Sequence, residues 1–504
     1  MFELKENTDT FRQGHGPNFL VADALYLLAL FGWTLFLPPL GGDWAALAEN
    51  GGEWGTGLLA ALFGGHAAPY HLLAWLLLYG CMVLVFFITR RVTRGPWWLG
   101  SVAAVVFLAH PLKAEAALSL SGPVTGLWPA FLFLAALAAY GRWREGGAVL
   151  DATAALAATV AAVVVSPVNA GLPLVLGLWE TTFVPREKRS AKHHALIVVL
   201  AVAVLLLHPP RWLGDADTLL NNLLALQFLA YPVGVLPGTA RLLAENPALT
   251  AALTLSGLIA LLLTARWSGH RAVKFGVAAA CVTGLFALQR DVHPVHLHGG
   301  GQFAAATALF AVAVAGVFHR LLHHPRWRLP VLWLSTFLCI LLMALHAGVN
   351  LTWMRAGRHA REFRAQAVQC AAAAKGPVAL CPDIRYLNSA PLFLAECLRH
   401  DTPFGPAVDA RVLLTLDLDA RAFRSLETKE YGPAQVRIAY EAVHAAPALT
   451  PHRLTQSAAP QPSATPLQLL FPRPVPLDAA QPVELRLRPL GNDFPAVRIP
   501  FPAK

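Results

Sequence analysis

Two carboxylates stand where apolar runs stop. Glu115 lies in Phe107-Leu108-Ala109-His110-Pro111-Leu112-Lys113-Ala114-Glu115-Ala116, and Asp43 follows Gly41-Gly42 just past the first apolar run. In membrane proteins, titratable groups at such places mark sites of chemistry. Asp43 could act as general base toward an acceptor hydroxyl, help hold a divalent metal, or cap a short helix beginning at Trp44. Glu115 could coordinate a metal, orient an acceptor or meet a basic group. With Lys113 it could equally form an ion pair at the membrane surface. His110 precedes Pro111, whose ring prevents a helix from continuing unbroken, so the run ends there.

A third cluster is His293-x-x-His296-x-His298, followed by Gly299-Gly300-Gly301. Three imidazoles this close could bind Zn²⁺ or Cu²⁺. They could instead hold a phosphate together with backbone N–H groups of the glycine run, or form a plain His-rich loop. His208, Arg211 and Arg290 are further groups able to meet an anion. A divalent metal is the one cofactor these residues could hold. Asp383, Asp401 and Asp409 are scattered and read as surface acids. No glycine-rich loop followed by Lys-Ser/Thr occurs, so ATP-driven work is not expected.

The elements that must position these groups are spans. Of 504 residues 56% are hydrophobic and 13% charged, and the mean hydropathy is +0.52; soluble domains carry about 25% charged residues. From Asn18 to Asn350 the apolar runs are each about 17–23 residues long, the length that crosses a bilayer as helix. They predict eleven spans at 18–38, 70–89, 96–110, 123–140, 149–166, 168–184, 194–209, 247–265, 272–289, 302–319 and 329–350. From Leu351 the chain reads as soluble. The expected fold is therefore a polytopic α-helical membrane domain, residues 1–350, followed by an α/β domain, residues 351–504. The polar N-terminus leads directly into a full-length span, so no cleavable signal is expected.

The charges report topology. The net charge of +10 comes with basic residues placed in short loops, which argues against a nucleic-acid partner and for the lipid bilayer. One set of loops holds Lys5, Arg12, Arg90, Arg91, Arg94, Arg142, Arg144, Arg186, Lys188, Arg189, Lys192, Arg266, Arg271, Lys274, Arg320, Arg326 and Arg328; the alternate set holds only Lys113, Arg211, Arg241 and Arg290. By the positive-inside rule the N-terminus is cytoplasmic and the C-terminal domain lies outside, in a periplasm or its equivalent. The first outer loop, residues 39–69, has no Lys or Arg and carries Asp43, Glu49, Glu53 and His66. Its runs Trp44–Glu49 and Gly57–Phe63 predict short surface helices, with Trp44 and Trp54 in the loop as aromatic membrane anchors. The broken apolar piece at 223–236 suits a re-entrant or surface helix. Cys81, Cys281 and Cys339 read as core thiols, and two of Cys370, Cys381 and Cys397 could pair in an oxidising compartment. Mid-span charges, which a transporter would need, are nearly absent apart from Asp23.

The segment Val106–Ala116 resembles the "LFALHP-x-x-x-EAV" signature of GT-C glycosyltransferases, in particular the bacterial relatives of the transmembrane-and-TPR O-mannosyltransferases. Ala68–Ala74 is similar to that group's "HHLVN" opening of the second span, Ser166–Pro173 to its "KP-x-AVTLP" segment, and Gln227–Pro237 to an outer-loop stretch. The resemblance covers roughly residues 18–350. It implies a GT-C fold in a bacterial inner membrane and a sugar donor linked to polyprenyl phosphate. It further implies a glycan or protein acceptor and inversion at the anomeric carbon. Asp43 would then be the catalytic acid of the first outer loop and Glu115 the glutamate of the second. His110 and Lys113 would support them, with His208, Arg211, Arg290, His293 and His296 as phosphate or substrate contacts.

The chain departs from the family pattern at several places. One acid stands in the first loop where two adjacent acids are usual. Ser166 replaces a lysine, Asn221 or Asn222 a basic residue, and Gly300-Gly301-Gln302-Phe303 the stretch "RY-x-Y-x-P". These departures leave three outcomes open: a different donor, a role for the histidines, or a catalytically degenerate scaffold that binds a lipid-linked glycan or a partner protein.

Overall fold

The computed structural model describes residues 16–48, 54–208, 247–287 and 299–373, and beyond them short strands and the turn 402–405. These residues are mostly helical. In order they form α1 (Gly16–Phe31), α2 (Asp43–Ala46), α3 (Trp54–Phe63), α4 (Ala67–Thr93), α5 (Trp97–Ala109), α6 (Ala114–Leu118) and α7 (Trp128–Gly146). There follow α8 (Val149–Val165), α9 (Leu172–Phe183), α10 (Ala191–Leu207), α11 (Pro247–Ser268), α12 (Arg271–Ala287), α13 (Ala304–Leu322) and α14 (Arg328–Ala373). A helix of this set overlaps each of the eleven expected spans, but only some of these helices are long and apolar enough to cross a membrane. Among the described residues five stretches are long and apolar enough to cross a membrane: 18–36, 67–93, 123–146, 300–322 and 325–362. The bent pair α5–α6 makes a sixth if it is one span.

The chain divides into two compact units. The first comprises residues 1–35, 68–236 and 247–349; the second comprises 36–67, 237–246 and 350–504. Residues 36–67 thus group with the C-terminal part of the chain.

In the first unit α13 is the central element. Its alanines, among them Ala304, Ala308, Ala311 and Ala315, are buried, and α5, α7 and α12 pack against it. Small residues let helix backbones approach closely where lipid offers no hydrophobic drive for association. Gly276 of α12 shows how closely: a Cβ there would lie 2.7 Å from the Ala313 amide nitrogen. The peripheral helices instead turn apolar side chains outward. Val160 and Val164 of α8, Val198 and Leu206 of α10, and Phe337 and Ile340 of α14 are all exposed, as befits surfaces that meet acyl chains.

Two proline breaks shape the bundle. At His110-Pro111 the helix bends by 51°. The residue before proline is pushed out of the helical region, and His110 sits at φ −68°, ψ 121°. At Ser166-Pro167 the same rule gives φ −151°, ψ 128°. There the buried Asn169 side chain donates to the carbonyls of Ala162 (2.9 Å) and Pro129 (3.0 Å), tying the turn to both α8 and α7.

The α4–α5 joint ends differently. Arg94 occupies the left-handed region, φ 52°, a position at which glycine is the usual helix terminator. Its amide donates to the Arg90 carbonyl at 2.9 Å. A side chain in this conformation costs about 1–2 kcal/mol.

In the second unit the described strands are β1 (Ala379–Cys381), β2 (Tyr386–Leu387), β3 (Ala390–Pro391), β4 (Val412–Leu418), β5 (Val436–Glu441), β6 (Pro451–Thr455), β7 (Gln468–Pro472), β8 (Glu484–Leu487) and β9 (Val497–Pro500). Seven of them form one mixed sheet in the order β6-β7-β5-β4-β1-β8-β9, with β1 parallel to both β4 and β8.

Candidate functional site

In the first unit the His110–Glu115 stretch is a tight turn embedded in backbone. Pro111–Lys113 forms a single 3₁₀ turn capped by His110, whose Nδ1 accepts from the Leu112 amide at 3.3 Å. That bond puts the proton of the neutral ring on Nε2. The imidazole is buried and meets Phe310 edge to face at 6.1 Å. Around the turn the packing depends on missing side chains. A Cβ on Gly300 would overlap the Leu112 carbonyl oxygen, and one on Gly126 would lie 2.7 Å from the Ala116 Cβ.

Glu115 joins this turn to the segment that leads into α13. Its carboxylate accepts from the Gly299 amide at 2.5 Å, and Gly299 adopts φ 81°, a conformation suited to glycine. A 3₁₀ turn, Gly300–Phe303, then runs into α13. A carboxylate here sits at the positive end of a helix, where negative charge is favoured.

Lys113 corrects the expectation of an interfacial Lys–Glu pair. It is fully buried, its Nζ donates to the Leu108 carbonyl at 2.9 Å, and it lies over the rings of Phe107 (5.0 Å) and Phe31 (5.4 Å). It forms no ion pair among the described residues. The reason is geometric: residues two apart on a helical turn do not share a face. Lys113 therefore points into the bundle while Glu115 reaches Gly299. His346 of α14, also buried, meets the other side of this pocket through Phe31, with ring centroids 4.9 Å apart.

Asp43 belongs to the second unit. It is 1% exposed and begins α2. Its Oδ2 accepts from the Leu40 amide at 3.0 Å, so the carboxylate also braces its own turn. Trp44 corrects a second expectation. It is not a membrane anchor: it is 3% exposed, with the Arg364 guanidinium 4.8 Å over its ring and Phe404 at 6.5 Å. An indole face attracts a guanidinium, and this contact covers it.

His208 ends α10 and is half-buried. Arg211, Arg290, His293 and His296 lie outside the described residues, as does His298. Among the described residues no three His, Cys, Asp or Glu side chains gather to hold a metal.

The opposite ends of the first unit's helices hold two groups that the sequence reading passed over. Glu180, inside an expected span, is fully buried. It is clamped by Arg144 through two bonds of 2.6 and 2.9 Å and by the Tyr140 hydroxyl at 2.8 Å. Its spacing from Trp179 and Phe183 carries no hint of this partner. The second group is a histidine row: His270 and His319 rings are 5.1 Å apart, and His319 and His323 rings 4.7 Å. Burial first, then the nearby His323 and Arg320, hold the His270 imidazole below its ordinary value. No protein-family model, no curated protein and no solved structure matches this chain.

Proposed function

We propose that the chain is a membrane glycosyltransferase of the GT-C kind that uses a sugar linked to polyprenyl phosphate. The proposal includes eleven spans, a cytoplasmic N-terminus, an extracytoplasmic α/β domain and a bacterial inner membrane. The observation that carries the reading is Asp43. An acid in a loop without Lys or Arg is held almost wholly out of solvent, with one oxygen fixed by a backbone amide. Burying a carboxylate is costly without a purpose, and perturbed or buried acids gather at working sites. As base, Asp43 would take the proton of an acceptor hydroxyl while that oxygen attacks the anomeric carbon. The carbon–oxygen bond to the phosphate would break, and polyprenyl phosphate would leave with the electron pair. Glu115 would keep the His110–Ala116 turn in register beside the glycine run.

A second reading, a scaffold that binds a lipid-linked glycan or a partner protein without transfer, draws support from one fact: Asp43 and Glu115 both spend a carboxylate oxygen on a backbone amide. Transfer from a polyprenyl-phosphate sugar to a glycan or peptide acceptor separates the two. Asp43→Asn keeps an oxygen for the Leu40 amide and removes the charge. The enzyme reading expects a loss of at least about 100-fold, within the range general-base removal gives. Equal rates would remove Asp43 from catalysis, and no transfer by the unaltered chain with any such donor would favour the scaffold.

A further inference from the structure

The basic ends of α4 and α7, far along the helices from His110, frame two adjoining clefts. The first, about 550 Å³, is lined by Arg91, Arg94, Arg144, Lys188, His270 and Arg271, with Glu145 on its wall. The second, about 690 Å³, shares Arg91, Arg94 and Glu145 and adds Arg90 and Arg142. Its remaining wall is apolar and belongs largely to α4: Leu84, Phe87 and Ile88, closed by Trp97. Phe87 is 46% exposed on a helix long and apolar enough to cross a membrane.

The charges do not cancel. Arg144 is taken up by Glu180, Arg91 by Glu145 at 3.1 Å and Arg142 by Asp151 at 3.2 Å. Arg94, Lys188 and Arg271 pair with no carboxylate among the described residues, and all three are exposed. Arg94 stands between the two clefts and is the one non-glycine described residue with a positive φ. Non-glycine residues held in the left-handed region gather at ligand clamps and working sites.

We propose that these clefts hold the phosphate headgroup of an anionic phospholipid, with Arg94 and the free cations beside it on the phosphate and an acyl chain along Leu84 and Phe87. The apolar wall decides for a lipid over a soluble phosphate. Basic pockets between helices on the cytoplasmic side suit such headgroups. This site is independent of the proposed transfer reaction.

The test uses the full chain in nanodiscs, with phosphatidylglycerol or phosphatidylcholine titrated in and retained lipid counted by native mass spectrometry. The expected result is preference for phosphatidylglycerol, weakened about five-fold by Arg94→Gly and about 25-fold by Lys188→Gln with Arg271→Gln, at roughly one cation's contribution per side chain. Arg94→Gly relaxes the backbone, so a thermal midpoint no lower than that of the unaltered chain shows the variant is folded. Equal retention of both lipids would overturn the proposal, as would undiminished phosphatidylglycerol retention by folded Arg94→Gly. Displacement by millimolar inorganic phosphate would assign the clefts to free phosphate and overturn the lipid assignment.

Discussion

The Glu115 carboxylate accepts a 2.5 Å hydrogen bond from the Gly299 amide, across 184 residues of sequence. This one contact ties the proline-broken end of α5 to the turn that starts α13, the central helix of the first unit. It makes Glu115 a positioning residue whatever the chemistry nearby.

Removing that carboxylate therefore has a structural cost. Glu115→Ala is expected to lower stability by about 1.5–3 kcal/mol, the range for a hydrogen bond to a charged group. Glu115→Gln keeps an acceptor and should lose less. Thermal unfolding in detergent, with amide exchange followed at Gly299–Phe303, checks this. Unchanged protection in Glu115→Ala would mean the bond holds nothing in place.

The Arg144–Glu180 pair should behave as a buried clamp. Breaking it from one side strands a charge, so Glu180→Ala is expected to cost about 3–5 kcal/mol. Replacing both partners by apolar residues, Arg144→Met with Glu180→Leu, should recover most of the loss, because nothing charged is left behind. A double-mutant cycle on unfolding midpoints measures the coupling; additive losses would contradict it.

His270 predicts a pH dependence. Its folded-state pKa lies below the ordinary value of 6.5, through burial and then His323 and Arg320. The unfolded chain thus binds the proton more readily, and stability falls as pH drops from above 6.5 through the folded value. His270→Asn should flatten part of that fall. Unfolding midpoints at pH 7.5 and 5.5 for both proteins test it. A parallel drop in both would show that His270 contributes nothing to the acid sensitivity.

Local rules made much of this architecture legible. Apolar length marks the helices because crossing a bilayer needs a set number of residues. Proline marks the breaks at His110-Pro111 and Ser166-Pro167 because its effect acts on the neighbouring residue and needs no partner. What lay beyond the sequence were matters of direction and distant partnership. Lys113 and Glu115 are two residues apart, yet one points into an aromatic pocket and the other to Gly299. Trp44 reads as an anchor until Arg364 covers its face. Glu180 carries no mark in the sequence of the clamp that Arg144 and Tyr140 form on it. A side chain's type and spacing are set by the chain alone, but what it touches depends on which remote segment packing brings beside it, and only the tertiary structure decides that.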